Sequence, residues 1–215
     1  AFRKTAADLK IKTIFRAGIT AIKPLAAGGK GPRFEIFFKD KISRQFDRVL
    51  LATGGSPAGY KFAAALGHTI IPPVPSLFTF QLDDSRLRGL SGISFDNVEL
   101  TLTVGKKKFE QSGAMLITHW GLSGPAVLKL SARGARILYD HDYHAKLTVN
   151  FLPTYSEERL AKGLHEYKMQ FGKRKVVNAD LFPIPSRYWK RIVQLAANDD
   201  DIIWANLTRG AINAI

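Results

Sequence analysis

The stretch RVLLATGGSPAGYKFAAALG, residues 48–67, decides the reading of this chain because it changes character twice. Val49, Leu50, Leu51 and Ala52 form a short apolar run of the kind that makes a strand buried on both faces. Thr53, Gly54 and Gly55 break the run. Helical spacing resumes over residues 59–66 (Tyr60, Ala63, Ala64, Leu66), closed by Gly67 where a helix takes its left-handed cap. The expected unit is strand, glycine turn, helix. Such a turn leaves backbone N–H groups exposed at the carboxyl end of a strand. With no Cβ in the way it also lets a cofactor approach the chain, which is where open α/β sheets bind ligands. On these residues alone a plain strand-to-helix connection would read the same way.

Upstream, residues 9–15 alternate apolar and polar (Leu9, Ile11, Thr13, Phe15), and residues 19–25 and 34–38 repeat the pattern, so three antiparallel strands are expected. Gly28, Gly29, Gly31 and Pro32 supply one turn and Asp40 with Lys41 the next, after which Phe46 leads into the buried strand. Downstream, residues 77–82 alternate as a strand. Residues 95–104 do the same (Val98, Leu100, Leu102, Val104), Gly105 and Lys106 reverse the chain, and Phe109 with residues 114–117 returns. Residues 146–152 add a further strand (Leu147, Val149, Phe151), giving a barrel or curved sheet. After Pro153 the pattern turns helical. Ser156, Glu157 and Glu158 open one helix (Leu160, Leu164, Tyr167, Lys168), residues 186–197 form another (Trp189, Ile192, Val193, Leu195, Ala196), and residues 201–208 suggest a third, shorter one.

With 215 residues the chain can bury most of its apolar surface without staples. It contains no cysteine, which excludes disulfides and thiolate metal sites and fits a reducing compartment, with the cytoplasm as the default expectation. No apolar run reaches the roughly 18 to 20 residues of a membrane span, and the opening AFRKTAADLK lacks the apolar segment of a signal peptide. No membrane partner is expected. The absence of an initiator methionine before Ala1, and an end at Ile215 without a polar tail, suggest an excised or incomplete piece. The net charge of +14, from 32 Lys and Arg against 18 Asp and Glu, raises the prior for an anionic partner without choosing among nucleic acid, phosphate-bearing cofactor and acidic protein. The densest clusters are Lys106, Lys107 and Lys108 in the hairpin turn, Lys173, Arg174 and Lys175 after Gly172, and Arg187, Lys190 and Arg191 on a helix. A solvated face explains each equally. Aromatic residues do not interleave the first two, so weak, diffuse attraction to nucleic acid is expected of them.

Four blocks taken together, LLATGG (residues 50–55), GYKFAAALGHTIIPPVPSL (59–77), LRGLSGISFDNVELTLTV (87–104) and THWGLSGPAVLKLS (118–131), resemble the HI0933-like flavoproteins, also described as BaiN-like or aminoacetone-oxidase-like. The resemblance runs in order over residues 1–152. It implies an α+β multidomain chain: a partial Rossmann-type FAD domain over residues 1–75 (small β-meander, strand, ATGG turn, helix), then an insert with a β-barrel-like part at 76–153 and a helical part at 154–215. It implies FAD as cofactor, with Ala52, Thr53, Gly54 and Gly55 touching it, and a small-molecule substrate beneath the insert. The family's G-x-G-x-x-G fingerprint, which holds the pyrophosphate, has no counterpart in this sequence, nor does the C-terminal glycine-rich segment that closes the flavin site. Residues 56–60 are also shorter than the family's usual loop. This chain alone is therefore expected not to retain FAD.

Within the insert, THWGLSGPA (residues 118–126) carries the strongest site signal. Ser123 as N-cap and Pro125 in the first turn would leave residues 121–124 presenting free N–H groups to an anion. His119, just before them, is the candidate catalytic residue, because its ordinary pKa lies near neutrality and it could exchange a proton with a substrate beside a flavin. The competing reading has its ring packed on Trp120 and bonded to a backbone carbonyl. His68 follows a capping glycine and is expected near helix carbonyls. His141 and His144 with Asp140 and Asp142 suit a solvated loop better than a metal site, so no metal is expected. With no G-x-S-x-G elbow, P-loop lysine or dithiol, hard chemistry would belong to a bound cofactor. The leading reading is a fragment of a flavin-dependent oxidoreductase. A basic interaction module and a degenerate remnant without activity are the alternatives.

Overall fold

The structure is a computed structural model that describes residues 2–25 and 33–215. The chain divides into two compact units, Ala1–Pro73 and Val74–Ile215. The glycine turn expected at residues 28–32 lies outside the described residues.

The first unit is built on a three-stranded antiparallel sheet, β1 (Ile19–Pro24), β2 (Phe34–Phe38) and β3 (Ser43–Phe46), in that spatial order. Alternation turns Ile22 and Ile36 inward, and they are the buried apolar side chains of this unit among the described residues. The Asp40–Lys41 turn forms as expected, with Lys41 in the left-handed region at φ 64°. Two expectations fail. Residues 9–15 form no strand; a short helix α1 (Phe2–Asp8) precedes irregular chain in which Leu9, Ile11 and Phe15 are 67%, 58% and 64% exposed. Residues 49–52 form no strand either, and Leu50 is 89% exposed. The physical reason is common to both. A strand exists only by pairing, and neither segment is paired with a neighbouring strand among the described residues. The helix does form, as α2 (Pro57–Ala65), with Gly67 at φ 90°, its N–H on Ala64 O and the His68 N–H on Ala63 O, the paired bonds of a Schellman cap.

In the second unit a curled, half-barrel antiparallel sheet has five strands in the order β4-β7-β6-β5-β8: β4 (Phe80–Gln81), β5 (Ser94–Val104), β6 (Lys107–Ile117), β7 (Gly121–Ser123) and β8 (Lys146–Asn150). Only two residues of the strand expected at 77–82 pair. The β5–β6 hairpin turns at Gly105, φ 57°, as its sequence requires. Alternation aims Val98, Leu100, Leu102 and Val104 of β5, and Met115 and Ile117 of β6, into a core closed by the 16-residue helix α3 (Pro125–Asp140) through Ala126, Val127, Leu130 and Leu138. Buried Ser131 on α3 is fully used, accepting from Phe78 N (3.0 Å) and donating to Leu128 O (2.8 Å).

Helices α4 (Glu157–Gln170), α5 (Ser186–Ala197) and α6 (Arg209–Ala214) enclose a second core around Leu164, Val176, Trp189, Val193 and Trp204. Ser156 caps α4 by accepting from Arg159 N at 3.2 Å. The third helix hinted at by residues 201–208 is instead a 3-10 turn at Trp204–Asn206 leading into α6. Helix α5 belongs to both cores, because adjacent residues on a helix face different ways: Tyr188 packs on Phe95 and Phe151 of the sheet, while Trp189 joins the helical cluster.

The two buried indoles of that cluster are unequal. Trp189 Nε1 donates to Val176 O at 2.9 Å, whereas Trp204 Nε1 is buried without a partner. Trp204→Phe removes an orphan donor and Trp189→Phe removes a bond, so the second should cost about 1 kcal/mol more in urea unfolding. Trp204→Ala, which empties the site, should cost about 3–5 kcal/mol. An equal or reversed ordering of the two phenylalanine variants would contradict this packing.

Candidate functional site

The turn that follows residues 49–52 keeps its shape without a paired strand behind it. Gly54 sits at φ 58°, Ser56 N donates to Thr53 O at 3.3 Å, and Pro57 opens α2 two residues past Gly55. A Cβ placed on Gly54 or Gly55 would meet no atom within 4 Å, so the backbone here is open to a ligand's close approach. Ser56 makes no side-chain cap bond, leaving the first N–H groups of α2 without that partner. Thr53 is seated against α2: a Cβ on buried Gly59 would run into Thr53 Oγ1. Gly59 is a residue that sequence reading missed. A glycine inside a helical pattern was its only signal.

These features fit the edge of a flavin lying on open backbone. They do not supply a full pyrophosphate cradle, since one glycine turn offers only a few N–H groups. Ala52, Thr53, Gly54 and Gly55 lie together in the first unit, and His119 lies in the second.

His119 stands in the bend between β6 and β7, exposed, its ring 6.4 Å from the Trp120 ring at a 53° tilt. Trp120 itself is 62% exposed, so this is an accessible pair rather than a packed one. The anion site expected at residues 121–124 is not there. Gly121, Leu122 and Ser123 form β7, paired with β4 and β6, and Gly124, not Ser123, is the N-cap of α3. Gly121 O accepts from Thr118 N (2.8 Å) and from Thr118 Oγ1 (3.0 Å), while Ser123 Oγ accepts from Thr79 Oγ1 (3.2 Å). The two glycines let this segment press against neighbouring backbone, and the sheet consumes groups that a loop would have left free.

Two of the other histidines have local roles. His141 closes α3, its Nδ1 3.0 Å from Ile137 O, and the His68 backbone bonds the end of α2. Among the described residues no group of three or more His, Asp or Glu could hold a metal ion, and no helix is long and apolar enough to cross a membrane.

Of the basic clusters, Lys106, Lys107 and Lys108 are exposed at the β5–β6 turn and Lys175 pairs with Asp201 at 2.6 Å. The third cluster is different. Arg187, Lys190 and Arg191 of α5 join Arg88, from the loop before β5, in lining a groove of about 440 Å³. Sequence spacing found the helical three; Arg88 is a contribution of the fold. Arg187 donates to Gly89 O and Arg191 to Ser85 O, each at 2.6 Å. Two acids of the same loop are paired, Asp84 with Arg86 (2.6 Å) and Asp83 with the groove's own Arg88 (3.2 Å). The Arg86 hydrogen bonds hold the Asp84 carboxyl below the ordinary carboxylate range, so that pair persists at neutral pH.

Residues 74–215 match the HI0933-like protein barrel and H2TH domain family. Among curated proteins, the chain is similar to a ribosomal RNA dihydrouridine synthase of Haemophilus influenzae, 41% identical over 97 residues, 40% of this chain and 23% of that protein. It is also similar to a 3-dehydro-bile acid delta(4,6)-reductase of Clostridium scindens, 30% identical over 129 residues, 56% of this chain and 31% of that protein. A ribosomal RNA dihydrouridine synthase of Escherichia coli is 28% identical over 165 residues, 72% of this chain and 38% of that protein. The chain thus spans well under half the length of each of these relatives.

Proposed function

Because this chain belongs to the HI0933-like family, we propose that it is a piece of a flavin-dependent oxidoreductase. In this reading residues 1–75 are part of an FAD domain, 76–153 a barrel-like insert and 154–215 its helical part, and the insert covers the cofactor and shapes the substrate pocket. The observation that carries it is the open glycine turn at Thr53–Gly54–Gly55, seated on α2 through Gly59, in a chain whose remainder matches that family.

The names of the relatives narrow the chemistry. A dihydrouridine synthase and a delta(4,6)-reductase both describe saturation of a carbon–carbon double bond, in a uridine ring and in a bile acid. The reaction proposed is addition of a hydride and a proton across a double bond conjugated to a carbonyl. Residues 52–55 of this chain would hold the edge of a flavin, which when bound would supply the hydride, and His119 would deliver the proton to the carbon next to the carbonyl.

The test uses a longer chain that includes a dinucleotide fingerprint. Gly54→Val should lower flavin occupancy, since it strains a left-handed position and puts a branched side chain where the ligand approaches. His119→Gln should keep the flavin and slow double-bond reduction by about 10²-fold or more. Full occupancy in the first variant, or an unchanged rate in the second, would remove the corresponding residue from the proposal.

A further inference from the structure

We propose that the groove formed by Arg88, Arg187, Lys190 and Arg191 is a docking surface for the phosphate backbone of an RNA strand. It rests on the reading above in one respect: the enzyme's substrate is taken to be a base within RNA, as the names of two relatives state for themselves.

The groove is a prepared cationic site. Arg187, Lys190 and Arg191 fall one turn apart, so all three share a face of α5. The two arginines are fixed to backbone carbonyls across the groove, which removes rotamer freedom before any ligand arrives. Carbonyls do not neutralise them. Among the described residues no carboxylate lies within ion-pair distance of Arg187, Lys190 or Arg191; Arg88 pairs with Asp83 at the exposed rim (3.2 Å), and Asp200 is the single acid lining the groove. Arg191 also keeps a buried Nε–H with no acceptor, so part of this charge is withdrawn from water without compensation.

Other clusters lack this combination. Lys106, Lys107 and Lys108 project from a hairpin turn on flexible stems, and Lys175 is already paired. No aromatic residue lines the groove, which leaves it phosphates to grip and no platform on which to stack bases. Binding there should accordingly position a strand without reading its sequence. A small carboxylate ligand could not use four cations spread along a helix and a loop.

The experiment uses the whole 215-residue chain and a fluorescently labelled single-stranded oligouridine, titrated over a range of salt. Arg88 and Lys190 are exposed, and Lys190 has no bond that its loss would break, so Arg88→Gln with Lys190→Gln leaves the fold intact. This pair should weaken binding about tenfold at low salt and flatten the slope of log affinity against log salt by roughly 1.4. Lys106→Gln with Lys107→Gln removes the same charge and should weaken binding by no more than about twofold. Arg187→Gln with Arg191→Gln, checked for native unfolding first, should match or exceed the Arg88 and Lys190 pair. Equal losses from the groove and the hairpin, or no binding at low salt, would overturn the proposal. Displacement by polyglutamate as effective as by unlabelled oligouridine would overturn it in favour of an acidic protein partner. Because no flavin is needed for this measurement, groove binding by the 215-residue chain together with a longer, fingerprint-bearing chain that takes up no flavin would sink only the oxidoreductase reading, and flavin occupancy of that longer chain without groove binding would sink only this one.

Discussion

Gly124→Ala should destabilise residues 74–215 by about 3–5 kcal/mol. Gly124 has φ 101° and ψ 171°, a region that residues with a Cβ all but avoid, at a cost of about 1–3 kcal/mol. The added Cβ would also stand 3.0 Å from Met115 Cα and 3.1 Å from Ala114 O and Leu116 N. Those atoms are backbone of β6, held between β5 and β7, so they cannot step aside as a side chain would. Gly92→Ala separates the two contributions: Gly92 has φ 87° but nothing within 4 Å of its Cβ position, and only a conformational cost of about 1–2 kcal/mol remains. Urea midpoints of the two variants decide the matter. Equal losses would mean that the close passage of residues 121–124 against β6 does not exist in solution.

The second large effect is the division of stability along the chain. Residues 74–215, expressed alone, should unfold cooperatively near the midpoint of the whole chain, while residues 1–73 alone should show no cooperative transition and rapid amide exchange. Two clusters of buried side chains hold the second unit, whereas Ile22 and Ile36 are the buried apolar side chains of the first among the described residues. Phe2, Leu50 and Ile71 of the first unit are 92%, 89% and 74% exposed. Apolar side chains in that number on so small a unit need a covering that these residues do not provide. In the proposed reading the rest of an FAD domain provides it. A sharp transition or strong protection in residues 1–73 alone would count against that assignment.

How much of this was legible in the sequence follows from what each signal encodes. The long strands β5 and β6 and the helices α4 and α5 were readable because their periodicity reports a face buried inside the chain itself, as Leu100, Leu102 and Trp189 show. Residues 9–15 carried a strand's alternation and residues 49–52 a buried strand's apolar run, and neither formed a strand, because neither signal says whether a partner edge exists. The candidate site divided in the same way. A glycine turn before a helix is a local property, and the turn forms with Gly54 at φ 58° and the helix closes at Gly67, φ 90°, the left-handed cap expected there. The anion site at residues 121–124 was a misreading of local glycines whose purpose is tertiary, a close approach to β4 and β6. Arg88 in the groove, almost a hundred residues from Arg187, had no local signal at all.

The central claim is that this chain is part of a flavin protein, and the flavin content of purified protein tests it most directly. A longer chain carrying both these residues and a dinucleotide glycine fingerprint should release about one FAD per chain on denaturation, the 215-residue chain should release none, and Gly54→Val in the longer chain should fall between. A longer chain that folds, carries the fingerprint and purifies without flavin even after incubation with FAD would contradict the account.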